Sequence, residues 1–344
     1  HAPDDPKLRF ALLAEQNCIF ERTLQFTRWR NNLDKQDALL ASMADAAPRM
    51  IQALSVDRSH FFNLIGEGKE AVEIARSALK MAEMLGDSGA LARSYLELGS
   101  GYWAQSKLDK AKPLFGHAAQ YAKAAGERDI EATSLEMYAA SGMFSGMPTA
   151  QILDLLTRAF KLAEESGDKQ QQASLLNKFG YLPASVGMGD FESTEENYAE
   201  GLALAREIGS SRTEEIILSN LGLMFTVQGD YRRAHDVLND GIALGQAHPI
   251  YWRHLISHHY LGALWMQMGD LDAAYAELEH ASEQLGALGN RHFEVKARCD
   301  LGLLHSLMGD YDSARQELAH VLTLIEGHGD KRFEALVSTR LGYA

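Results

Sequence analysis

The sequence predicts an all-α protein of stacked helix pairs, because three short markers recur at intervals of about 40 residues. The first marker is a Leu-Gly pair or a near equivalent. The second is a Gly-Asp turn, and the third is a glycine, mostly followed by a polar residue, that closes each repeat. A fixed period of this length is typical of repeat proteins, so it decides the architecture before any local motif does.

The three markers keep one register along most of the chain. The Leu-Gly positions are Leu98-Gly99, Phe179-Gly180, Leu221-Gly222, Leu261-Gly262, Leu301-Gly302 and Leu341-Gly342. The turns are Gly189-Asp190, Gly229-Asp230, Gly269-Asp270 and Gly309-Asp310, each 40 residues after the one before. The closing glycines are Gly86, Gly126, Gly167, Gly209, Gly289 and Gly329.

Between the markers, the apolar residues have helical spacing. From Ala234 to Leu244 they recur at intervals of three and four residues, which predicts an amphipathic helix. Gly229 suits the left-handed end of one helix, and Asp230 can accept backbone N–H groups at the start of the next. Each period therefore predicts a helix, a tight turn and a second helix, and no segment has the alternation of a strand.

Within each period the residue types resemble the tetratricopeptide repeat (TPR). The unit from Ser88 supplies Tyr95, Leu98, Gly99, Tyr102, Ala111, Phe115 and Ala118; the unit from Pro249 supplies His258, Leu261, Gly262, Trp265, Ala274, Leu278 and Ala281; and the unit from Asn290 supplies Arg298, Leu301, Gly302, His305, Ala314, Leu318 and Val321. The resemblance implies a right-handed superhelical solenoid of stacked antiparallel helix pairs. The long period resembles the sensor region of maltose-regulator-type transcription activators and related signal-transduction ATPases.

The repeats predict two regions. Residues 1–47 do not fit the pattern and are expected to form an N-terminal helical cap or a linker. Residues 48–344 form the solenoid, with units at about 48–87, 88–127, 128–168, 169–210, 211–249, 250–290 and 291–330 and a partial unit at 331–344. Tyr138 replaces the repeat glycine in one unit. Pro183 is expected to bend or break the first helix of the next, as a surface irregularity or as the opening of a ligand pocket.

Charge and composition exclude several function classes. The chain has 33 basic and 47 acidic residues, a net charge of −14, so direct nucleic-acid binding is not expected. We expect most of the acidic excess to lie on outward helix faces. Two cysteines cannot form a disulfide framework, and neither a signal-peptide pattern nor a membrane-spanning stretch is present. These features predict a cytoplasmic protein, and its ends, His1 and a broken repeat, suggest a piece of a longer one.

No catalytic or cofactor-binding motif stands out. The segment from Ile65 to Lys69 comes nearest to a phosphate-binding loop, but it lacks the required spacing and aligns with an inter-helix turn. His254 and His258 have the i, i+4 spacing that could bind a metal, yet no third ligand follows, and His258 falls at a core position of the repeat. We therefore expect these histidines to pack structurally, and expect no cofactor, no metal and no enzyme activity.

The candidate binding residues are those that the repeat register turns toward the concave face of the solenoid. They are Arg93, Leu96, Ser100, Trp103, Leu135, Met143, Asn177, Tyr181, Ser219, Leu223, Thr226, His259, Met266, Gln267, Lys296 and Cys299, with Ala139 and Leu303 beside them. This mixed lining suits a peptide, a partner helix or a small polar ligand.

Two functions follow from this lining. The first is a non-catalytic, ligand- or partner-sensing module of a larger bacterial signalling or transcription-regulatory protein. The alternative is a free-standing scaffold that assembles a protein complex.

Overall fold

A computed structural model describes residues 5–43, 47–105, 107–185, 191–248, 252–325 and 337–339. Its long helices are α1 (Pro6–Arg22), α2 (Phe26–Ser42), α3 (Pro48–Leu64), α4 (Gly68–Leu85), α5 (Ser88–Ala104), α6 (Leu108–Ala125), α7 (Arg128–Phe144), α8 (Thr149–Ser166), α9 (Lys169–Ser185), α10 (Phe191–Glu207), α11 (Ser211–Gln228), α12 (Tyr231–Gln246), α13 (His254–Met268), α14 (Leu271–Ala287), α15 (Arg291–Leu307) and α16 (Tyr311–Ile325). These residues contain no strand, which confirms the all-α prediction. None of the described helices combines the length and apolar character needed to cross a bilayer.

The helices pack as the repeat predicts. Contacts join the two helices of a period, as in α3–α4, α5–α6, α7–α8, α13–α14 and α15–α16. Contacts also join one period to the next, as in α4–α5, α6–α7, α12–α13 and α14–α15. We name the odd-numbered helices from α3 onward A helices and the even-numbered helices from α4 onward B helices.

The chain divides into two compact units, which we describe separately. Unit 1 comprises His1–Ala104, Leu108–Pro183 and Glu192–Glu214. Unit 2 comprises Gln105–Lys107, Ala184–Phe191 and Glu215–Ala344. Helix α11 therefore contributes its first four residues to unit 1 and the rest to unit 2.

The Leu-Gly glycines lie where A and B helices approach most closely. A Cβ added to Gly99 would lie 2.7 Å from the Phe115 ring, and one added to Gly302 would lie 2.8 Å from Cγ of Leu318. Both partners are completely buried large residues of the paired B helix. A side chain at either glycine would displace that partner, so the recurrence of glycine follows from packing density.

The Gly-Asp marker forms the turn between the helices of a pair. Gly269 follows α13 with φ +83°, in the left-handed region where glycine has no steric penalty. The side chain of Asp270 then accepts a hydrogen bond of 3.1 Å from the backbone N–H of Ala273 in the first turn of α14. The Ile65–Lys69 segment likewise forms the turn between α3 and α4.

The two departures from the repeat have different outcomes. Tyr138 is partly buried on α7 and faces Gly116 of α6, where an added Cβ would make an ordinary contact of 3.7 Å with Cε2 of Tyr138. Helix α9 runs through Pro183 to Ser185, so the helix is not broken at this proline, and the expected bend stays a prediction. Pro183 lies in the last turn of the helix, so only two helical residues follow the missing N–H. Residues 186–190, which include the Gly189-Asp190 turn, lie outside the described residues.

We predict opposite effects for alanine at two glycines of the same helix pair. Gly99→Ala should lower the free energy of unfolding by about 1–3 kcal/mol, because the new methyl group overlaps the Phe115 ring. Gly116→Ala, the control, should raise it by about 0.5–1 kcal/mol, because the site has room and glycine is a poor helix former. Urea unfolding followed by circular dichroism measures both. Equal effects of the two substitutions would contradict the packing role.

Candidate functional site

Neighbouring A helices lie side by side in each unit, and polar side chains fill the boundary between them. Helix contacts join α3 to α5 and α5 to α7 in unit 1, and α13 to α15 in unit 2. Hydrogen bonds join α7 to α9, and α11 to α13. We name these interactions inter-A contacts. They fix the position of each A helix beside the next and so determine which side chains of the A helices remain exposed.

The first inter-A contacts join α3 and α5. Nε2 of the buried Gln52 donates to Oγ of Ser94 at 2.9 Å and to the carbonyl oxygen of Ala90 at 3.2 Å. Farther along the same helices, Nδ2 of Asn63 donates to Oε2 of Glu97 at 3.0 Å. Glu97 is only 6% exposed, so its carboxylate depends on the hydrogen bond from Asn63.

The Glu136 carboxylate is the centre of the contact between α7 and α9. Oε2 of Glu136 accepts from Nε2 of Gln171 at 2.7 Å, and Oε1 accepts from Oγ of Ser174 at 2.8 Å. Nζ of Lys178 lies 3.9 Å from Oε1. The Glu136 side chain is 6% exposed, and three side chains of α9 thus converge on it.

Unit 2 repeats this arrangement with other residues. The hydroxyl groups of Ser219 and Ser257 are 2.7 Å apart between α11 and α13, and both residues are buried. Oε2 of Glu215, which is completely buried, lies 3.9 Å from Nε of Arg253. Between α13 and α15, Nε2 of His259 lies 2.8 Å from Oδ2 of Asp300.

In unit 1 a chain of four alternating charges joins α1 to three A helices. Nη1 of Arg212 donates to Oε1 of Glu21 at 2.8 Å, although the two residues are 191 positions apart. The same Glu21 oxygen lies 3.2 Å from Nε2 of His60, and Nδ1 of His60 lies 3.1 Å from Oε1 of Glu97. The helices of unit 1 thus bring α1 against the first turn of α11.

Burial and pairing shift the pKa values of these groups in opposite directions. Burial opposes the charge of His60, but the Glu97 and Glu21 carboxylates outweigh it and raise the pKa of His60 well above its ordinary value. Burial likewise opposes ionisation of Glu21, yet His60 and Arg212 lower its pKa to about 2. Among the described residues, no basic side chain lies within 4 Å of the nearby Asp57 carboxylate. Burial raises its pKa to about 6 despite a hydrogen bond of 2.7 Å from Nδ2 of Asn17.

Six predicted binding residues are buried among the packed helices and offer little surface to a ligand. All stand three residues before the repeat glycine or its equivalent, and all are at most 7% exposed: Leu96, Leu135, Asn177, Ser219, His259 and Cys299. Thr226, at 2% exposure, and Ala139, at 0%, are buried as well. Side-chain periodicity places these positions on the inner side of each helix, but it does not give the distance between neighbouring A helices.

The other predicted residues remain accessible. Arg93 and Gln267 are exposed, and the partly exposed ones are Ser100, Trp103, Met143, Tyr181, Leu223, Met266, Lys296 and Leu303. Arg93 pairs with Oε1 of Glu127 through a hydrogen bond of 2.7 Å. Nζ of Lys296 lies 5.3 Å from the centre of the Phe293 ring. The role of this set in binding stays a prediction.

The histidines have the packing contacts of structural residues. Nδ1 of His258 lies 2.6 Å from Oε2 of Glu277, and its ring centre is 4.9 Å from that of His280. Within the described part of the chain, no group of three or more histidine, cysteine or acidic side chains could hold a metal ion. Cys299 is buried in the α15–α16 core, and Cys18 is exposed on α1.

Buried carboxylates on the A helices were not among the predicted site residues. Glu97, Glu136, Glu215 and Glu294 are at most 6% exposed and are exceptions to the expected outward placement of acidic residues. Glu294 pairs with Nε of Arg298 at 3.0 Å. Glu97 and Glu136 both stand two residues before the repeat glycine position, and this recurrence was the available signal.

The described helices resemble those of solved repeat proteins, whereas no protein-family model and no curated protein matches the sequence. A Rap protein complexed with competence and sporulation factor has a TM-score of 0.73 at 11% identity, covering 98% of this chain and 89% of that one. The NprR–NprX peptide complex has a TM-score of 0.62 at 13% identity, covering 96% and 97%. The Cut9–Hcn1 hetero-tetramer of the APC/C also has a TM-score of 0.62, at 15% identity, covering 97% and 55%.

The protein has a TPR-like helical solenoid fold. The matches confirm the architecture that the Leu-Gly, Gly-Asp and closing-glycine markers predict. At these identities the likeness is one of fold, so the TPR resemblance assigns no ligand by itself.

We predict a pH-dependent gain of stability for Asp57→Asn. The native Asp57 carboxyl has a raised pKa, so it favours folding when protonated and loses that contribution as pH rises through about 6. Asparagine keeps the acceptor for Asn17 and carries no charge. The variant should therefore gain about 1–2 kcal/mol over the wild type between pH 5 and pH 8, measured by urea unfolding.

The exposed Asp34→Asn is the control and should show no such trend, because its carboxyl is largely solvated. A stability difference for Asp57→Asn that stays constant from pH 5 to pH 8 would contradict the assignment.

Proposed function

We propose that this protein is a non-catalytic peptide-sensing module whose ligand binds along the A helices. The partly exposed aromatic and methionine side chains among paired charges support this function most directly. In unit 1 these side chains are Trp103, Met143 and Tyr181. The module acts in the cytoplasm as part of a larger bacterial signalling or transcription-regulatory protein, and it does not itself bind nucleic acid.

The charges on this surface are already paired within the protein. Arg93 pairs with Glu127, Lys178 lies beside Glu136, and Arg212 pairs with Glu21. A ligand gains little from a cation that must first leave its carboxylate, because the carboxylate would lose its partner. Binding should therefore rest mainly on apolar contact and on hydrogen bonds to the peptide backbone.

Large, partly exposed side chains supply that contact. Trp103 packs beside the Leu96–Phe115 cluster of α5 and α6, which fixes its ring while part of it remains accessible. Met143 packs against the core around α7 and α8. Aromatic and methionine side chains provide large contact area at low entropic cost and adapt to different peptide side chains.

The solved structures of the same fold favour a peptide over a small molecule. One is a Rap protein in complex with competence and sporulation factor, and another is NprR in complex with its cognate peptide. Those ligands belong to those proteins. They support the proposal because NprR, a protein of the same helical arrangement, binds its cognate peptide, and because unit 1 presents partly exposed rings on its A helices.

A displayed library of random peptides of about eight residues provides the test. We expect selection on the immobilised protein to enrich peptides that raise its melting temperature in solution. Trp103→Ala should weaken their binding by about tenfold, through loss of the buried ring area. Met84→Ala, which alters an 81% exposed side chain on α4, is the matched control and should leave affinity unchanged.

Failure to enrich any stabilising peptide would contradict the sensing function. Equal losses for Trp103→Ala and Met84→Ala would contradict the location. The Cut9–Hcn1 structure shows that this fold also occurs in a multi-protein assembly, so a scaffold is the alternative. A stable protein partner that Trp103→Ala releases, together with no stabilising peptide, would favour that alternative.

A further inference from the structure

Five large apolar side chains are exposed where the A helices of unit 2 end and the following turns and B helices begin. Val227, Met268, Leu307, Met308 and Tyr311 are 54%, 48%, 56%, 46% and 49% exposed, respectively. We name this set the turn edge. Its members lie one or two residues before, or two residues after, the turn glycines of three successive helix pairs. Single exposed apolar residues are ordinary on proteins, but several gathered at neighbouring turns are less common.

The turn itself does not require these residues. In unit 1, Ile65 precedes the turn glycine Gly66 and is only 7% exposed, and Ser145 precedes Gly146. The corresponding residues before Gly269 and Gly309 are the exposed Met268 and Met308. These two turns of unit 1 thus have a buried or a polar residue where two turns of unit 2 expose a methionine, whereas the remaining turn of unit 2 has Gln228 before Gly229.

The members of the turn edge lie along one side of unit 2. Inter-A contacts hold α11 beside α13 and α13 beside α15, so the ends of these helices lie next to each other. Neighbouring packed helices are about 8–10 Å apart. The exposed side chains therefore repeat at a similar distance along the edge.

Acidic side chains border this apolar row. Asp270 and Asp310 accept hydrogen bonds at the starts of α14 and α16, and Asp272 and Asp312 follow in the first turns. Arg315 lies 3.5 Å from Asp312. Among the described residues, no basic group lies within 4 Å of Asp270 or Asp272. The border is therefore negative beside α13. It is mixed beside α11, where the exposed Arg232 and Arg233 follow Asp230, and beside α15, where His305 lies 3.9 Å from Asp310.

We propose that the turn edge docks a basic amphipathic helix of a partner protein. Apolar residues seven positions apart on a helix are about 10.5 Å apart, which matches the spacing of the row. Lysine or arginine residues beside them would face Asp270 and Asp272. A second copy of this chain fits poorly, because pairing two such edges would bring like charges together in a protein of net charge −14.

The probe is a synthetic helix of about 18 residues with leucine at helical spacing and lysine elsewhere. We expect it to bind the full chain with measurable fluorescence anisotropy. Hydrogen exchange should slow around residues 227–231, 267–272 and 307–312. The same peptide with glutamate in place of lysine should bind at least about tenfold more weakly.

Variants locate the site. The triple change Met268→Ser, Leu307→Ser and Met308→Ser should weaken binding by about tenfold without lowering the melting temperature, because the side chains are exposed. Asp270→Asn with Asp272→Asn should weaken it several-fold and reduce its salt dependence, and asparagine preserves the helix cap.

Met84→Ser on α4 is the control and should change nothing. Trp103→Ala should also leave this binding intact, which separates this test from the test of the peptide-sensing function. Absence of binding, equal binding of the glutamate peptide, or full binding by the triple variant would overturn the proposal.

Discussion

Carboxylates between neighbouring A helices are the constraint on which both units depend. A carboxylate in a tightly packed boundary is tolerated only if hydrogen-bond donors or cations surround it. Glu136 receives three side chains of α9, and Glu97 receives Asn63 and His60 of α3. Each set of partners comes from one neighbouring helix. All of these hydrogen bonds and ion pairs therefore form only when the two helices are aligned at one position along their length. Apolar packing alone tolerates sliding more readily.

This pairing also shapes the accessible surface. A cation that pairs with a partly buried carboxylate, as Arg212 pairs with Glu21, is unavailable to a ligand without a penalty. In the proposed function, recognition on the A helices therefore rests on side chains such as Trp103 and Tyr181. The turn edge of unit 2 differs, because Asp270 and Asp272 have no cationic partner among the described residues and its apolar side chains are exposed. One fold therefore offers two surfaces of different chemistry.

The repeat and its helix-turn-helix content could be predicted because they depend on short-range signals. Gly99 indicates that the paired B helix approaches closely, and Asp270 indicates where a B helix begins. The depth of the candidate site could not be predicted. Asn177 and Cys299 are buried. Periodicity does not tell whether a given face of a helix meets solvent or another helix, because that depends on how non-consecutive helices pack. The Arg212–Glu21 contact depends on the rotation between successive helix pairs, added up over the helices that separate the two residues. No local sequence pattern predicts that sum.

The unfolding free energies of Glu136→Ala and Glu131→Ala test the central role of the inter-A carboxylates most directly. Both residues are glutamates of α7, but Glu136 is buried among partners on α9, whereas Glu131 is partly exposed. Glu136→Ala should cost about 3 kcal/mol, because Gln171, Ser174 and Lys178 lose their shared acceptor. Glu131→Ala should cost less than about 0.5 kcal/mol. Losses that agree within error would contradict the account.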